Sequence, residues 1–321
     1  MHSFEQLLQQ FDDRFNTRHF PDQPATLYDP AQYILGIGGK RVRPVMCLMG
    51  NELFDAIHPD TWQVAAAVEL FHNFTLIHDD IMDQAPLRRG METVHQRFGV
   101  NTAILAGDAM MIMAYDYIRR VHKDALPAIL ALFNRTALEV SEGQQLDMDF
   151  EQRSDVTLDA YKQMITLKTS VLLASSLEMG AVMGGAGAGN AKHLYEFGKN
   201  LGIAFQVQDD YLDAFGDPAK FGKQVGGDIL ANKKTFLMIH AASSASSGDR
   251  VLLQELMLSN PSDKVEQVLG VFRRTGVDAW ARELKKQYLN EAMQHLDEIA
   301  VLSKRKEPLR QLAAFLVQRD Y

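Results

Sequence analysis

The segment NFTLIHDDIMDQAPLRRG, residues 73–90, holds three aspartates among apolar side chains and ends in two arginines. Asp79 and Asp83 are four residues apart, so on a helix they share one face about one turn from each other. Asp80 lies beside them. Carboxylates repel one another and are costly to bury on an apolar face unless a metal ion or a cationic group neutralises them. The segment therefore predicts a cation-binding site on an apolar helix.

A second copy of this pattern, DDYLD, contains Asp209, Asp210 and Asp213. With 26 aspartates in the chain, the pattern arises by chance roughly 0.2 times. Two copies on apolar helices are therefore hard to explain as solvated helix faces. Carboxylates suit Mg²⁺, which proteins usually hold with one or two of them plus substrate phosphates. No His-x-x-x-His pattern or cysteine pair offers a softer metal site.

The spacing of apolar residues is helical along nearly the whole chain, beginning with residues 62–82. No sustained alternating run is flanked by hairpin turn signals, so strands should be scarce. We therefore expect an all-α fold: a single domain over residues 1–321, with ten or more helices around a central cavity. The other predicted helical ranges are 100–121, 125–150, 157–183, 191–213, 233–246, 250–258, 263–274, 277–302 and 307–318.

Composition and charge narrow the class of protein. The chain has 321 residues, of which 46% are apolar, so it can bury a large core. The net charge of −8 and the lack of a basic stripe argue against a nucleic-acid partner. Cys47 is the single cysteine, so no intrachain disulfide forms, and a reducing, cytoplasmic location fits.

The N-terminal segment does not predict a signal peptide, and the most apolar stretch of the chain does not predict a membrane span. The N-terminal MHSFEQLLQQFDDRF is too polar for a signal peptide. The stretch SVLLASSLEMGAVMGGAGAG, residues 170–189, contains Glu178 and many small residues. It therefore predicts a tightly packed core helix that runs into a turn.

Basic residues beside glycine turns or after an acidic motif are candidates for phosphate binding. Arginine matches a phosphate with two parallel hydrogen bonds, and lysine acts as a point charge. Most lysines and arginines are simply solvated, so position is what distinguishes these candidates. They are Lys40, Arg41, Arg43, Arg88, Arg89, Lys168, Lys223, Lys233 and Lys234.

Six motifs stand in the order found in trans-isoprenyl diphosphate synthases, and the chain resembles that family over roughly residues 36–236. They are GGKRVRP, LIHDDIMD followed by LRRG, GQQLD, LKTS, FQVQDDYLD and GKQVGGDILANKKT. The last third resembles the family only in being helical. Terpene cyclases, a distant alternative, usually carry a second metal motif of another type and lack GGKR. A non-catalytic subunit of a heteromeric synthase usually loses acidic residues that this chain keeps.

The resemblance implies a role for each matching residue. Asp79 and Asp83 would bind two Mg²⁺ ions and Asp209 a third, with Asp80, Asp210 and Asp213 as supporting ligands or acceptors. Arg88, Lys168, Lys223 and Lys233 match positions that hold the allylic diphosphate. Lys40, Arg43, His72 and Arg89 match those that hold isopentenyl diphosphate. Thr169, Gln206 and Phe205 match groups near the allylic cation, and Arg319 is a weaker match for a residue that closes over the second diphosphate.

The implied reaction joins isopentenyl diphosphate to dimethylallyl, geranyl or farnesyl diphosphate. Catalysis would rest on electrostatic stabilisation and positioning in a site that excludes water. An apolar tunnel for the hydrocarbon tail would explain why the acidic face borders apolar residues. Homodimers formed through central helices are usual in the family, and we expect one here.

Product length is predicted from two rings upstream of the first acidic motif. Phe74 and Phe71 precede Asp79 by five and eight residues, roughly 7 and 12 Å along a helix. A ring there would act as a floor for the growing chain, and the small Thr75 leaves a path beside Phe74. In the resembling family this pattern goes with geranylgeranyl diphosphate. Farnesyl diphosphate and longer products stay open as alternatives, as does a role for both rings in core packing alone.

Overall fold

The computed structural model describes residues 1–153, 155–216 and 225–317 of the chain. Lys223 and Arg319 lie outside these described residues. Within them the chain is almost entirely helical, and the strands are two residues long each: β1, Leu87–Arg88, and β2, Met91–Glu92. The all-α prediction and the scarcity of strands are therefore confirmed. That residues 1–321 act as a single domain stays a prediction.

Ten helices span the first two thirds of the chain. They are α1 Phe4–Phe15, α2 Ala25–Gly36, α3 Val42–Glu52, α4 Thr61–Met82, α5 Val94–Phe98, α6 Val100–Ile118, α7 Leu126–Gln152, α8 Leu158–Ile165, α9 Val171–Met183 and α10 Ala188–Phe215. A π-helical segment, Thr166–Ser170, joins α8 to α9. The predicted helix over 157–183 is therefore three consecutive pieces.

Six further helices complete the described residues. They are α11 Gly227–Leu230, α12 Phe236–Ser244, α13 Ser247–Leu258, α14 Lys264–Arg274, α15 Val277–Glu298 and α16 Ser303–Val317. Local caps explain some of the starts. The Thr157 hydroxyl accepts the Ala160 N–H at 3.1 Å ahead of α8, and Thr235 caps α12 in the same way.

The chain forms two compact units. Unit 1 comprises residues 1–135, 175–195 and 299–308. Its central helix is α4, which packs mainly on α6 and α3 and has an unbroken buried run from Val64 to Phe71. A helix that is apolar on all sides belongs in a core. Gly50 and Gly180 let α3 and α9 approach closely, because a Cβ on either would lie within 2.4 Å of the other helix's backbone.

Unit 2 comprises residues 136–174, 196–298 and 309–321. Helix α12 packs on α8, α14 and α15, and α11 packs on α14. The second acidic motif lies on the part of α10 that belongs to this unit, and the first lies on α4 of unit 1. The site residues of each unit are described in turn below.

Among the residues that the structure describes, one stretch, Leu158–Met183, is long and apolar enough to cross a membrane by length and composition. Of its most apolar window, 67% is buried within the structure. Core helices of folded proteins pass the same test. The burial agrees with the core-helix prediction made for residues 170–189, which this stretch overlaps.

Candidate active site

The first acidic motif ends helix α4. Asp79 is half-buried, Asp80 is 2% exposed, and Asp83 is exposed at the position that caps the helix. The last carbonyls of a helix carry partial negative charge, which favours cations at this end. Asp83 therefore presents its carboxylate to solvent where the helix itself also attracts positive charge, and the Asp79 side chain, 21% exposed, is reachable only in part.

Asp80 is held by Arg88. The Arg88 Nε and Nη2 atoms donate to the two oxygens of Asp80 at 2.8 and 2.7 Å, and Nη2 lies 3.6 Å from Asp79. Burial lowers the pKa of Arg88, but the hydrogen bonds to Asp80 and the charges of both aspartates outweigh it and raise the pKa overall. Both oxygens of Asp80 are thus engaged by a guanidinium group.

A tight hairpin carries the two arginines. β1 pairs antiparallel with β2, and the loop residues Arg89 and Gly90 have φ of 53° and 79°. Positive φ at both loop positions is what a two-residue hairpin turn requires. The guanidinium of Arg89 lies so close to Gly39 that an added Cβ there would come within 2.8 Å of Nη1. The hairpin thus places Arg89 beside the glycine turn that precedes Lys40.

Arg43 and His72 form a second basic contact in unit 1. Arg43 Nη1 donates to His72 Nε2 at 3.1 Å. Because arginine only donates, that nitrogen of His72 accepts and carries no proton. Burial, followed by the charges of Arg43, Arg89 and Arg88, lowers the pKa of His72 well below its usual value. Burial also lowers the pKa of Arg43 to about 10. A neutral histidine among guanidinium groups marks a region of concentrated positive charge that suits an anion.

Arg41 is buried, whereas Lys40 is exposed. Arg41 is 5% exposed and donates to Glu69 Oε1 at 2.5 Å and to the Leu35 carbonyl at 3.0 Å. Its φ of 46° lies in the left-handed region. Of the three basic residues in GGKRVRP, Arg41 therefore serves the core of unit 1.

The two rings upstream of the motif differ in exposure. Phe71 is 2% exposed, and its ring centroid lies 5.4 Å from that of Phe133. Phe74 is half-buried, 5.7 Å from Phe71 and 4.7 Å edge-on from His78. The Thr75 hydroxyl donates to the His72 carbonyl at 2.7 Å. Phe71 is a core residue, and Phe74 keeps part of its ring accessible.

In unit 2 the π segment positions Lys168. The lysine Nζ donates to Asp147 Oδ2 at 2.6 Å. Helix α7 approaches the segment at Gly143, where an added Cβ would lie 2.2 Å from the Lys168 nitrogen. On its other side, a Cβ on Gly202 of α10 would lie 2.7 Å from Ser170 Oγ. Extra residues in a π turn bulge the backbone outward and often occur at functional sites.

Asp210 is the buried member of the second motif. One oxygen accepts the Gln206 amide at 2.9 Å, and the other accepts the Tyr161 hydroxyl at 3.1 Å and the Phe236 N–H at 3.3 Å. Burial raises the pKa of Asp210 to about 7, although these hydrogen bonds oppose it. Asp210 therefore ties α10 to the starts of α8 and α12.

The other two carboxylates of this motif, Asp209 and Asp213, are half-buried. Asp213 Oδ2 accepts the Asp228 N–H at 3.0 Å, at the start of α11. Burial, followed by the charge of Asp228, raises the pKa of Asp213. A carboxyl group that resists losing its proton in this way would gain from a cation nearby.

The ANKKT lysines have different environments. Lys233 is exposed, with Nζ 3.5 Å from Asp228 Oδ1. Lys234 donates to the carbonyls of Phe150 and Glu151 in the last turn of α7, at 3.1 Å for the latter. A lysine there stabilises the helix end. Lys234 is thus engaged in holding the end of α7, and a ligand-binding role for Lys233 stays a prediction.

The carboxylates fit a divalent cation by their chemistry. Asp79 and Asp83 in unit 1, and Asp209 and Asp213 in unit 2, offer hard oxygen donors at accessible positions. Both oxygens of Asp80 and both oxygens of Asp210 accept hydrogen bonds within their own unit.

Sequence reasoning did not identify several residues that hold this site. Gly143 and Asp147 were visible in GQQLD, whose i, i+4 spacing places them on one face of α7. Arg89–Gly90 signals a two-residue turn. The partnership of Tyr161 with Asp210 has no local signal, because the two are 49 residues apart.

Comparisons with known proteins agree over nearly the whole chain. Residues 24–272 match the profile of the family described as Polyprenyl synthetase. A geranylgeranyl diphosphate synthase of Saccharolobus solfataricus is 37% identical over 92% of this chain and 90% of its own length. A geranylfarnesyl diphosphate synthase of Natronomonas pharaonis is 34% identical, covering 93% and 92%. A crystal structure of a geranylgeranyl pyrophosphate synthase superposes with a TM-score of 0.95 at 43% identity, covering 99% of each chain.

Proposed function

The chain belongs to the polyprenyl synthetase family of prenyltransferases, and on that premise we propose that it makes geranylgeranyl diphosphate from isopentenyl diphosphate and allylic diphosphates. One observation carries the proposal. In unit 1, the carboxylates at the end of α4 lie beside guanidinium groups, with Arg88 Nη2 only 3.6 Å from Asp79. Carboxylates and guanidinium groups side by side suit a diphosphate that arrives with divalent cations.

We assign the metal-binding role to Asp79 and Asp83 of the first motif and to Asp209 and Asp213 of the second. Bound Mg²⁺, about three ions by family resemblance, would neutralise charge on the diphosphate leaving group. For Asp80 we propose a supporting role and not direct binding of the metal. Because both of its oxygens accept from Arg88, we propose that it positions that arginine.

The basic residues divide by unit. In unit 1, Lys40, Arg43, His72 and Arg89 would bind isopentenyl diphosphate, and Arg88 would bind the allylic diphosphate. In unit 2, Lys168 and Lys233 would bind the allylic diphosphate, together with Lys223. The neutral His72 supports this division, because an uncharged ring can orient a phosphate oxygen only through its remaining N–H.

The reaction follows from this binding. The allylic carbon–oxygen bond breaks, and the diphosphate leaves with the electron pair. The double bond of isopentenyl diphosphate attacks the allylic cation and forms the new carbon–carbon bond. Loss of a proton to the departing diphosphate restores an alkene five carbons longer. Thr169, Gln206 and Phe205 would stabilise the cation, and Gln206 is oriented by its hydrogen bond to Asp210.

We propose that Phe74, rather than Phe71, limits the product. Phe71 is enclosed by other rings, whereas Phe74 has an accessible face. The names of the two curated relatives include a product of twenty carbons and one of twenty-five. Geranylgeranyl diphosphate is therefore our proposal, with farnesyl diphosphate or a longer chain as the alternatives.

Product analysis by mass spectrometry tests both the reaction and its length. Incubation with isopentenyl diphosphate and either dimethylallyl or farnesyl diphosphate should give a twenty-carbon product. Phe74→Ala should shift the products to at least twenty-five carbons, because the floor is removed. Phe74→Tyr, which keeps a ring, is the matched control and should not lengthen them. An unchanged product range for Phe74→Ala would reject the floor, and failure to consume isopentenyl diphosphate would favour a terpene cyclase.

We further propose a homodimer formed through α6, and a cytoplasmic location. Ile104, Leu105 and Ile112 leave 40%, 58% and 70% of their surface exposed on that helix. Exposed apolar residues at helical spacing favour a second copy of the chain as their cover. A single-chain mass by light scattering would contradict this part of the proposal.

A further inference from the structure

Two histidines and an aspartate meet at the beginning of α4. His58 and Asp60 lie in the loop between α3 and α4, and His122 follows the end of α6. Asp60 Oδ2 lies 2.9 Å from His122 Nδ1 and 3.8 Å from His58 Nδ1. One ligand atom from each residue lies within 4.8 Å of the other two. The three residues come from two separate segments of the chain, and all belong to unit 1.

This group is remote from the acidic motif on the same helix. Asp60 precedes Asp79 by 19 residues, which corresponds to roughly 28 Å along α4. Neither histidine belongs to a motif that matches the prenyltransferases. The sequence showed no His-x-x-x-His pair, because the two histidines are 64 residues apart and meet only in the folded chain.

The chemistry of the group suits a borderline transition metal. Imidazole nitrogen and carboxylate oxygen bind Zn²⁺ at about 2.0–2.2 Å, which separates tetrahedral ligand atoms by about 3.3 Å. The two measured separations of 2.9 and 3.8 Å bracket that value, so small side-chain rotations would close the set. Mg²⁺ prefers six oxygen ligands and would not be favoured here.

Backbone groups already orient the ligands. The Asp60 N–H donates to His58 Nδ1 at 3.1 Å, so that nitrogen carries no proton, and a bound metal would take its lone pair in place of this hydrogen bond. The His122 N–H donates to Asp60 Oδ2 at 2.9 Å and fixes that carboxylate. The two imidazole rings lie with centroids 4.8 Å apart. Both histidines are at least 40% exposed, so water can reach a fourth position.

We propose that His58, Asp60 and His122 form a Zn²⁺-type site that joins the loop before α4 to the end of α6. The metal replaces the proton shared between His122 Nδ1 and Asp60, and water completes four-coordination. Such a site stabilises unit 1 because it ties together two segments that are far apart in sequence. It is independent of the proposed catalytic reaction.

Co²⁺ titration of the full-length chain tests the site, because four-coordinate Co²⁺ absorbs strongly in the visible range. The chain is stripped with a chelator and titrated in excess Mg²⁺, which occupies oxygen-only sites. We expect the wild type to bind one equivalent of Co²⁺ with a four-coordinate spectrum that Zn²⁺ abolishes. His58→Ala and His122→Ala should each lower the Co²⁺ affinity at least tenfold.

His2→Ala is the matched control, because His2 also contacts a carboxylate, Glu52, at 2.6 Å. It should bind Co²⁺ as the wild type does. Zn²⁺ should also raise the melting temperature of the wild type more than that of either cluster variant. Equal Co²⁺ uptake by the wild type and the His58→Ala/His122→Ala double variant, or none by the wild type, would overturn the proposal and leave only a hydrogen-bonded Asp60–His122 pair.

Discussion

The two Asp-Asp-x-x-Asp motifs share a sequence pattern but neutralise their buried aspartate differently. Asp80 on α4 faces the guanidinium of Arg88, with two hydrogen bonds of 2.7–2.8 Å. Asp210 on α10 accepts hydrogen bonds from three neutral donors in the described part of the chain. They are a tyrosine hydroxyl, a glutamine amide and a backbone N–H. The middle aspartate of each motif is thus a structural group, and the environment decides whether it carries charge.

This difference has a chemical consequence for each motif. An ion pair keeps the first motif's middle carboxylate compensated and, at the same time, aims a cation toward Asp79. Among the described residues, Asp210 accepts hydrogen bonds only from neutral groups, and burial raises its pKa to about 7. The first motif should therefore be sensitive to loss of charge, and the second to pH.

The largest effect should come from neutralising Asp80. Asp80→Asn leaves the partly buried guanidinium of Arg88 without its full counter-charge, and Arg88 would turn toward Asp79. We expect a loss of about 3 kcal/mol in the free energy of unfolding and at least a hundredfold lower kcat/KM. Urea unfolding and steady-state kinetics over a range of Mg²⁺ concentrations measure both.

Two other neutral variants sharpen this result. Asp210→Asn should lose much less activity, because its site already favours a neutral group near pH 7. Asp278→Asn breaks an exposed ion pair with Arg282 and should change the unfolding free energy by less than about 1 kcal/mol. If Asp80→Asn and Asp210→Asn behaved alike, the contrast between the two motifs would be wrong.

Asp210 should make the free energy of unfolding depend on pH. The folded chain holds the Asp210 proton up to about pH 7, whereas an unfolded aspartate releases it near pH 4. Between these values the folded state binds more protons, so the contribution of this group to stability falls as pH rises and levels off above pH 7. Asp210→Asn lacks this dependence.

From about pH 5 to about pH 8, the unfolding free energy of the wild type should therefore fall by about 2 to 3 kcal/mol relative to that of Asp210→Asn. Urea titrations without divalent cations measure the difference. Parallel pH profiles for the two proteins would show that Asp210 is ionised throughout. The pH profile of Asp80→Asn serves as a comparison, because Asp80 pairs with the charged Arg88 whereas Asp210 accepts from neutral groups.

The residues explain how far the sequence could predict this arrangement. Apolar spacing predicted α4 within one residue at its start, and the i, i+4 spacing predicted that Asp79 and Asp83 share a face. The spacing alone did not predict that Asp80, unlike Asp79 and Asp83, would be the buried aspartate of the motif. That distinction depends on Arg88, which a two-residue hairpin places against Asp80.

The π-helical segment Thr166–Ser170 was even harder to predict from the sequence. The helical pattern over 157–183 continues through it, because one extra residue in a turn hardly changes apolar periodicity. Its cause is tertiary: Gly143 and Gly202 allow two helices to lie against Thr166–Ser170. Partners that meet only after folding, such as Tyr161 with Asp210, leave no trace in local spacing.

The smallest effect should come from Asp147→Asn, which removes the carboxylate that Lys168 contacts in unit 2. Its contact with Asp147 is a single hydrogen bond between side chains that are 25% and 38% exposed, where water screens the charges. Asp147→Asn should therefore change the unfolding free energy by less than about 1 kcal/mol. Because the π segment and its glycine contacts still hold the backbone, KM for the allylic diphosphate should rise only severalfold with little change in kcat.

Steady-state kinetics of Lys168→Ala, measured alongside, separate the role of Asp147 in positioning the lysine from the role of the lysine in binding. A much larger defect is expected when the lysine itself is removed. An Asp147→Asn defect as severe as that of Asp80→Asn would mean that both units depend on an ion pair to aim their cation.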